Sequence, residues 1–262
     1  TQYLRIVCSG GRQRHSSTTE HNDMNNGVMM LAAITAVVAF FNRNTLPDPE
    51  FMLPELAVAP VQVKTRTPSF EARWKGKNYS VDPLYEYSLS GLVVSYRQHD
   101  GESRMHRQSD DHLNAADLCV VWGANADHSG LNKLDFYNGI FTCNWSTRDQ
   151  AAWDAFDQTE ISNNHLLSDS PAIRKVIGKV KIGDQIRLSG YLTEYTSPNG
   201  SSRGTSTTRL DTGDGACETI YLDSFEIVKR VITPWRWIWW GALTVLLLTV
   251  INHFRMPVRV RR

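Results

Sequence analysis

Apolar residues run together at two places in the chain and alternate with polar ones between them. From Trp237 to Ile251 there is no charge, and Leu246, Leu247 and Leu248 sit at the centre. Counted from Trp235 to Phe254 the run is 20 residues long, which is about what a helix needs to cross a hydrocarbon core of ~30 Å. Arg236 lies just inside it, where its apolar stem lets the charged head reach the interface. Trp235, Trp237, Trp239 and Trp240 crowd one end, as amphipathic rings do at headgroup level. The second run, Val28 to Phe41, spans 14 residues. It has the length of a signal-peptide core, but no small-x-small cleavage site follows it closely, so it reads as an uncleaved signal anchor. Met24, just before this run, is an alternative start, residues 1–23 then being an upstream extension.

Between the runs the pattern changes twice. Residues 44–83 hold five prolines between Thr45 and Phe70, which forbid a long helix or a central strand, so they read as a lead-in. From Leu84 the stretch "LYEYSLSGLVVSY" alternates as a strand, with Gly91 a bulge or bend. "DLCVVWGA" and "FYNGIFTCNW" are further strand candidates, and "DQAAWDAFDQTEI" places Ala152, Trp153 and Phe156 on one helical face. Ser170 followed by Pro171 is a helix start. In "VKIGDQIRLSGYLTEY" a Gly183-Asp184 turn feeds a strand with Ile186, Leu188, Gly190 and Leu192 on one face. A glycine within such a strand is common in small closed barrels, where it lets the strand coil. "TSTTRLDTGDGACETIYLDSFEIV" reads as two strands about the turn "DTGDG".

The expected fold is therefore α+β and mainly β: a small OB-like barrel with a helical insert, flanked by two transmembrane helices. The boundaries are a cytoplasmic segment 1–27, a first span or signal anchor 28–43, the lead-in 44–83, an exported β-rich domain 84–232, a second span 233–254 and a basic tail 255–262.

Charge gives this arrangement a direction. Residues 42–234 carry 20 Lys and Arg against 25 Asp and Glu, whereas Arg255, Arg259, Arg261 and Arg262 follow the last run with no acid among them. Basic flanks around an acidic loop are the signature of a domain exported across a bacterial inner membrane. Both termini are then cytoplasmic and residues 44–233 periplasmic. The same balance removes the clustered Lys and Arg on which nucleic-acid binding rests.

Cys119, Cys143 and Cys217 fall in the exported part, an oxidising place in a periplasm. Cys119 and Cys143 are each 12 residues from Leu131. A hairpin about that point would make them face each other, so Cys119–Cys143 is the preferred bridge, with the pairings to Cys217 still open. The thiol left over is read as a buried, inert cysteine rather than a nucleophile.

Candidate chemistry is sparse. In "ISNNHLL", read as a polar loop, His165 could serve as a general base oriented by Asp157 or Asp169. The competing reading is a helix-end cap. "RLDTGDGACE" gathers Arg209, Asp211, Asp214 and Glu218, a binding candidate whose carboxylates resemble Ca²⁺ ligands, although an Asp-Gly hairpin tip accounts for the same residues. "HDGESRMHRQSDDH", with His99, His106, Asp110, Asp111 and His112, has the residue types of a transition-metal site but no compact ligand spacing, and reads as a solvated loop. No metal or cofactor is therefore expected. Tyr191 and Tyr195 are candidates for an exposed aromatic binding face.

With "ISNNHLL", "VKIGDQIRLSGYL" and "TTRLDTGDGACETIYL" in view, the chain resembles a family of uncharacterised bacterial inner-membrane proteins with a large exported β-rich domain. The resemblance runs from about Trp74 to the second span. It implies inner-membrane placement and carries over no catalytic residue. The leading expectation is a non-enzymatic binding or assembly module of the cell envelope with an envelope protein partner. The alternative is an envelope hydrolase, metal-assisted or not, using His165 and nearby carboxylates.

Overall fold

The computed structural model describes residues 14–99, 108–213 and 217–255, with side chains from residue 23 onward. The chain divides into two compact units, Thr1–Asn44 with Thr233–Arg262, and Thr45–Ile232.

The first unit is a pair of helices, α1 (Arg14–Asn42) and a C-terminal helix, Pro234–Arg255. Both Asp23–Asn42 and Pro234–Arg255 are long and apolar enough to cross a membrane. The first of these segments is longer than the 14-residue run, because Asp23, Asn25, Asn26 and Gly27 continue the helix ahead of Val28. The two helices pack antiparallel through small residues: Ala32, Ala36 and Ala39 on α1 and Ala242 opposite are buried. Their spacing lets backbones approach closely, the usual way apolar helices associate where lipid removes any hydrophobic drive. Gly241 takes no part, since a Cβ there would meet nothing within 4 Å. At one end Asn25 donates to the Thr249 carbonyl at 3.2 Å and accepts from the Asn252 amide at 2.9 Å. At the other the Arg43 guanidinium lies 3.7 Å from the Phe40 ring, which stands 6.1 Å from Trp239.

The second unit is mixed α/β and mostly sheet. Its strands are β1 (Val61–Lys64), β2 (Phe70–Trp74), β3 (Lys77–Gln98), β4 (Asn114–Val121), β5 (Leu134–Asn138), β6 (Cys143–Thr147), β7 (Ile161–Leu167), β8 (Gln185–Thr196), β9 (Ser202–Arg203) and β10 (Cys217–Lys229). The helices are α2 (Gly123–Ala126), α3 (Gln150–Ala155) and α4 (Pro171–Ile177), so Pro234–Arg255 is α5. Asp149 and Ser170 cap α3 and α4, each side chain accepting a backbone N–H, which satisfies a donor that the first turn leaves orphaned.

The pairing path runs β3–β4–β7–β10–β8 and returns to β3. All neighbours are antiparallel except β7 and β10, which are parallel. The 22-residue β3 pairs with both β4 and β8 in this circuit, with register shifts near Pro83 and Val93. Gly91, expected as a bulge, stays in register opposite Ile186. The lead-in belongs to the domain: β1 and β2 pair with β3, and Leu56 is buried.

Period-two alternation gives the circuit two faces. Leu118, Val120, Leu166, Ile186, Leu188, Leu192, Ile220 and Leu222 form one core. On the opposite face Leu92, Val94, Cys119 and Val121 pack beneath the β5–β6 hairpin with Leu131, Leu134 and Phe156. Two sequence expectations give way here. "ISNNHLL" is not a loop but β7, buried at every position. Of the two strands expected about "DTGDG", only the second forms, as β10.

Candidate functional site

Register places a row of polar side chains across the hairpin-facing side of β4, β7 and β10. Asp117 stands opposite His165, Cys119 opposite Asn163, and Asn163 in turn opposite Cys217. His165 Nδ1 lies 2.6 Å from one Asp117 oxygen, and His99 Nε2, from the end of β3, lies 2.9 Å from the other. The Asn114 amide donates to the first oxygen at 2.9 Å. Asp117 is 0% and both histidine side chains 3% exposed. Burial pushes the Asp117 carboxyl up, but the hydrogen bonds from His165 and His99 outweigh it and hold the group well below the usual carboxylate range.

Phe141 closes this cluster. It sits in the tip of the β5–β6 hairpin with φ of 59°, a conformation few residues other than glycine adopt. Its ring meets His165 edge-on at 5.9 Å between centroids, and the Arg203 guanidinium lies 3.7 Å from its centroid. Its carbonyl accepts from Asn163 Nδ2 at 2.9 Å. The same Asn163 nitrogen is 3.5 Å from His165 Nε2 and 3.9 Å from Cys217 Sγ.

Beside the cluster opens a cleft of about 450 Å³. Tyr137, Phe141 and Trp145 supply aromatic surface, and Asn144, Gln158 and Asn163 supply amides. Cys143 and Cys217 line it together. Among the described residues, none that lines it carries a charge.

The sequence candidates disperse. Neither Asp157 nor Asp169 orients His165. Asp157 accepts from the Thr159 amide and hydroxyl, and Asp169 accepts from Tyr221 at 2.8 Å. The partner of His165 is Asp117, 48 residues away. Tyr195 is 2% exposed, packed with Tyr79, Val81, Leu113 and Leu167, and so offers no binding face, whereas Tyr191 is half-buried beside a shallow groove between β1 and β8. Asp110 holds Lys77 and His112, while His106 and Asp214 lie outside the described residues. Among the described residues no group of three His, Cys, Asp or Glu could hold a metal ion.

Asp211 accepts from Ser206, while Glu218 turns away to meet Arg209 at 3.2 Å. The Arg209 guanidinium also faces the rings of Trp122 and Tyr87, 5.3 and 5.9 Å away. Burial raises the Glu218 carboxyl from an ordinary value of 4.5 to about 7, with Arg209 opposing. A carboxyl raised in the fold binds a proton that the unfolded chain releases between those two values. Stability therefore falls as pH rises from about 4.5 to about 7 and stays lowered above it. Glu218→Gln is expected to flatten that slope, a difference of about 3 kcal/mol across the window. Melting temperatures of both proteins at pH 5 and pH 8 measure it, and parallel slopes would refute it.

The bridge Cys119–Cys143 is formed. Its two cysteines do not face across a hairpin about Leu131, however; they come from β4 and from β6 lying over it. Cys217 is a free thiol, half-buried. Sequence reasoning missed Asp117 and Phe141, and it placed His99 in a solvated loop although the side chain is buried against Asp117. The available signal was Asp117 itself, a lone carboxylate inside the apolar run "DLCVVW". No protein-family model, curated protein or solved structure matches the chain.

Proposed function

We propose that the chain is a membrane-anchored envelope protein whose exported domain is a non-enzymatic binding module, with the uncharged cleft beside the β5–β6 hairpin as its ligand site. The protein is placed in a bacterial inner membrane, with both termini cytoplasmic and residues 44–233 periplasmic. Two apolar helices, the basic tail and a disulfide support that placement, as does the family resemblance. We read the second unit as a five-stranded OB-type barrel. The five-strand circuit, the parallel β7–β10 pair and α4 between β7 and β8 support this reading. Barrels of that type take oligosaccharides or oligonucleotides across their second and third strands, here β4 and β7, and the cleft opens at that face.

The observation that carries the ligand class is the chemistry of the lining. Three aromatic rings and three amides, with no charged side chain among the described lining residues, suit a neutral ligand rich in hydroxyl and amide groups, such as an N-acetylated glycan of the envelope. The apolar faces of such a sugar lie on rings, and its polar edges need donors and acceptors. An anionic nucleic acid would meet no cation there. Burial of His165 beneath Phe141, with Nδ1 held by Asp117, weighs for binding over hydrolysis.

Titration of the full chain with N-acetylglucosamine oligomers, in a non-glycosidic detergent and followed by tryptophan fluorescence, tests this. Saturable binding is expected. Tyr137→Ala, at a position 57% exposed, should weaken it about tenfold, the usual cost of truncating an aromatic anchor. No saturation, or equal binding by the variant, would overturn the proposal.

A further inference from the structure

The three cysteines of the β-rich unit surround one residue. Cys119 and Cys217 stand opposite Asn163 on its two neighbouring strands, each about 4.8 Å away in the ladder direction. Cys143 lies above them, bonded to Cys119 with the Cα atoms 5.4 Å apart. Cys217 Sγ is 4.0 Å from the carbonyl of Phe141, two residues before Cys143 on the same hairpin. Cys143 and Cys217 also line the same cleft. A half-buried free cysteine thus lines the same space as one cysteine of the disulfide.

We infer that Cys217 undergoes thiol–disulfide exchange with the Cys119–Cys143 bridge, so that the β6 end of the hairpin can be tethered either to β4 or to β10. The Cys217 thiolate attacks Cys143 Sγ, the Cys143–Cys217 bond forms and the Cys119–Cys143 bond breaks. Cys119 leaves as a thiolate and takes up the proton that Cys217 gave. One disulfide and one thiol are present before and after, so the step needs no oxidant or reductant. Burial pushes the Cys217 thiol up, against the Asn163 amide that favours its anion, with Glu218 and Asp117 raising it and Arg203 lowering it. The attacking thiolate is therefore scarce near neutrality, which makes the exchange slow rather than absent.

The inference stands apart from the ligand proposed above, but it bears on the same cleft. A Cys143–Cys217 bond would join two of its walls and draw the hairpin across it. The thiol state would then set whether the cleft is open.

The test follows the disulfides directly. Full-length protein in detergent is incubated without air and without added thiol, then alkylated with an isotopically labelled reagent and digested without reduction. Mass spectrometry should find a Cys143–Cys217 peptide growing with time, matched by an equal gain of label on Cys119. Within the β-rich unit, label confined to Cys217, with Cys119–Cys143 as the sole bridge after prolonged incubation, would overturn the inference. Cys119→Ser gives a second reading, because it leaves only Cys143 and Cys217 in the unit. Mild oxidation of the folded variant should bridge them, and Cys143 and Cys217 both still free in a protein that melts cooperatively would also overturn it. Should that variant fail to fold, the time course on the native chain decides alone.

Discussion

Asp117→Ala is expected to lower the stability of the β-rich unit by about 3–5 kcal/mol, the cost of breaking a buried charged group away from its partners. The carboxylate is the one group that His165, His99 and Asn114 share. Without it two imidazoles are left facing a void under Phe141, and neither can turn to water through the closed hairpin tip. For a unit of this size the loss corresponds to a drop on the order of 10 °C in melting temperature, readable by tryptophan fluorescence of the full chain in detergent. Because the folded carboxyl is held below its ordinary value of 3.8, its contribution is complete above that value. It fades only as pH falls through the depressed one. The gap between Asp117→Ala and the parent should therefore be present at neutral pH and shrink in strong acid. A shift of only a degree or two at neutral pH would show that the cluster is not what holds β4, β7 and the end of β3 together.

Gly190→Ala is expected to cost about 3 kcal/mol or to prevent folding, the upper part of the range for atoms forced into a packed site. A Cβ at this position would stand 2.0 Å from the Tyr221 carbonyl oxygen and 3.0 Å from the Leu222 Cα on β10. Those are backbone atoms, so no side-chain rotation can relieve the contact. β8 is also hydrogen-bonded on both sides, to β3 and to β10, so it cannot retreat from one ladder without loosening the other. Gly204→Ala is the control, since a Cβ there comes no closer than 3.9 Å to Glu194 Oε1. Denaturant midpoints of the two variants should differ widely. Matching midpoints would refute the close approach of β8 to β10 at Gly190.

Much of the architecture was legible in the sequence because the signals are local. Alternation over Ile186, Leu188, Gly190 and Leu192 specified β8, Ser170-Pro171 specified the start of α4, and the two apolar runs specified the long helices. The strain at Gly190 was half legible: a glycine inside a strand signals a bend or a close approach, and only the partner strand decides which. β7 was misread because Ser162, Asn163, Asn164 and His165 look solvated. One of its faces packs into the first core through Leu166, and the other meets Asp117 and a hairpin tip, so Asn163, Asn164 and His165 find partners distant in sequence. The same distance hid the partner of His165, because nothing near position 165 points to position 117. Prolines made residues 44–83 look unstructured, yet Pro60 and Pro68 fall just outside β1 and β2, where no ladder hydrogen bond is asked of them.

The place of β10 in the circuit has a consequence for how the domain comes to be made. The strand that joins β7 to β8 is the last to be synthesised. Until Cys217–Lys229 arrives, both neighbours present unpaired backbone, the template on which extended chains aggregate. Every contact β10 makes with β7 also spans more than fifty residues, and such distant closures are slow. The nascent domain therefore stays open almost until α5 follows from the ribosome. A cell that makes this protein has to shield the edge of β7 from Leu167 onward, and that of β8 from Thr196 onward, until Cys217–Lys229 has been made.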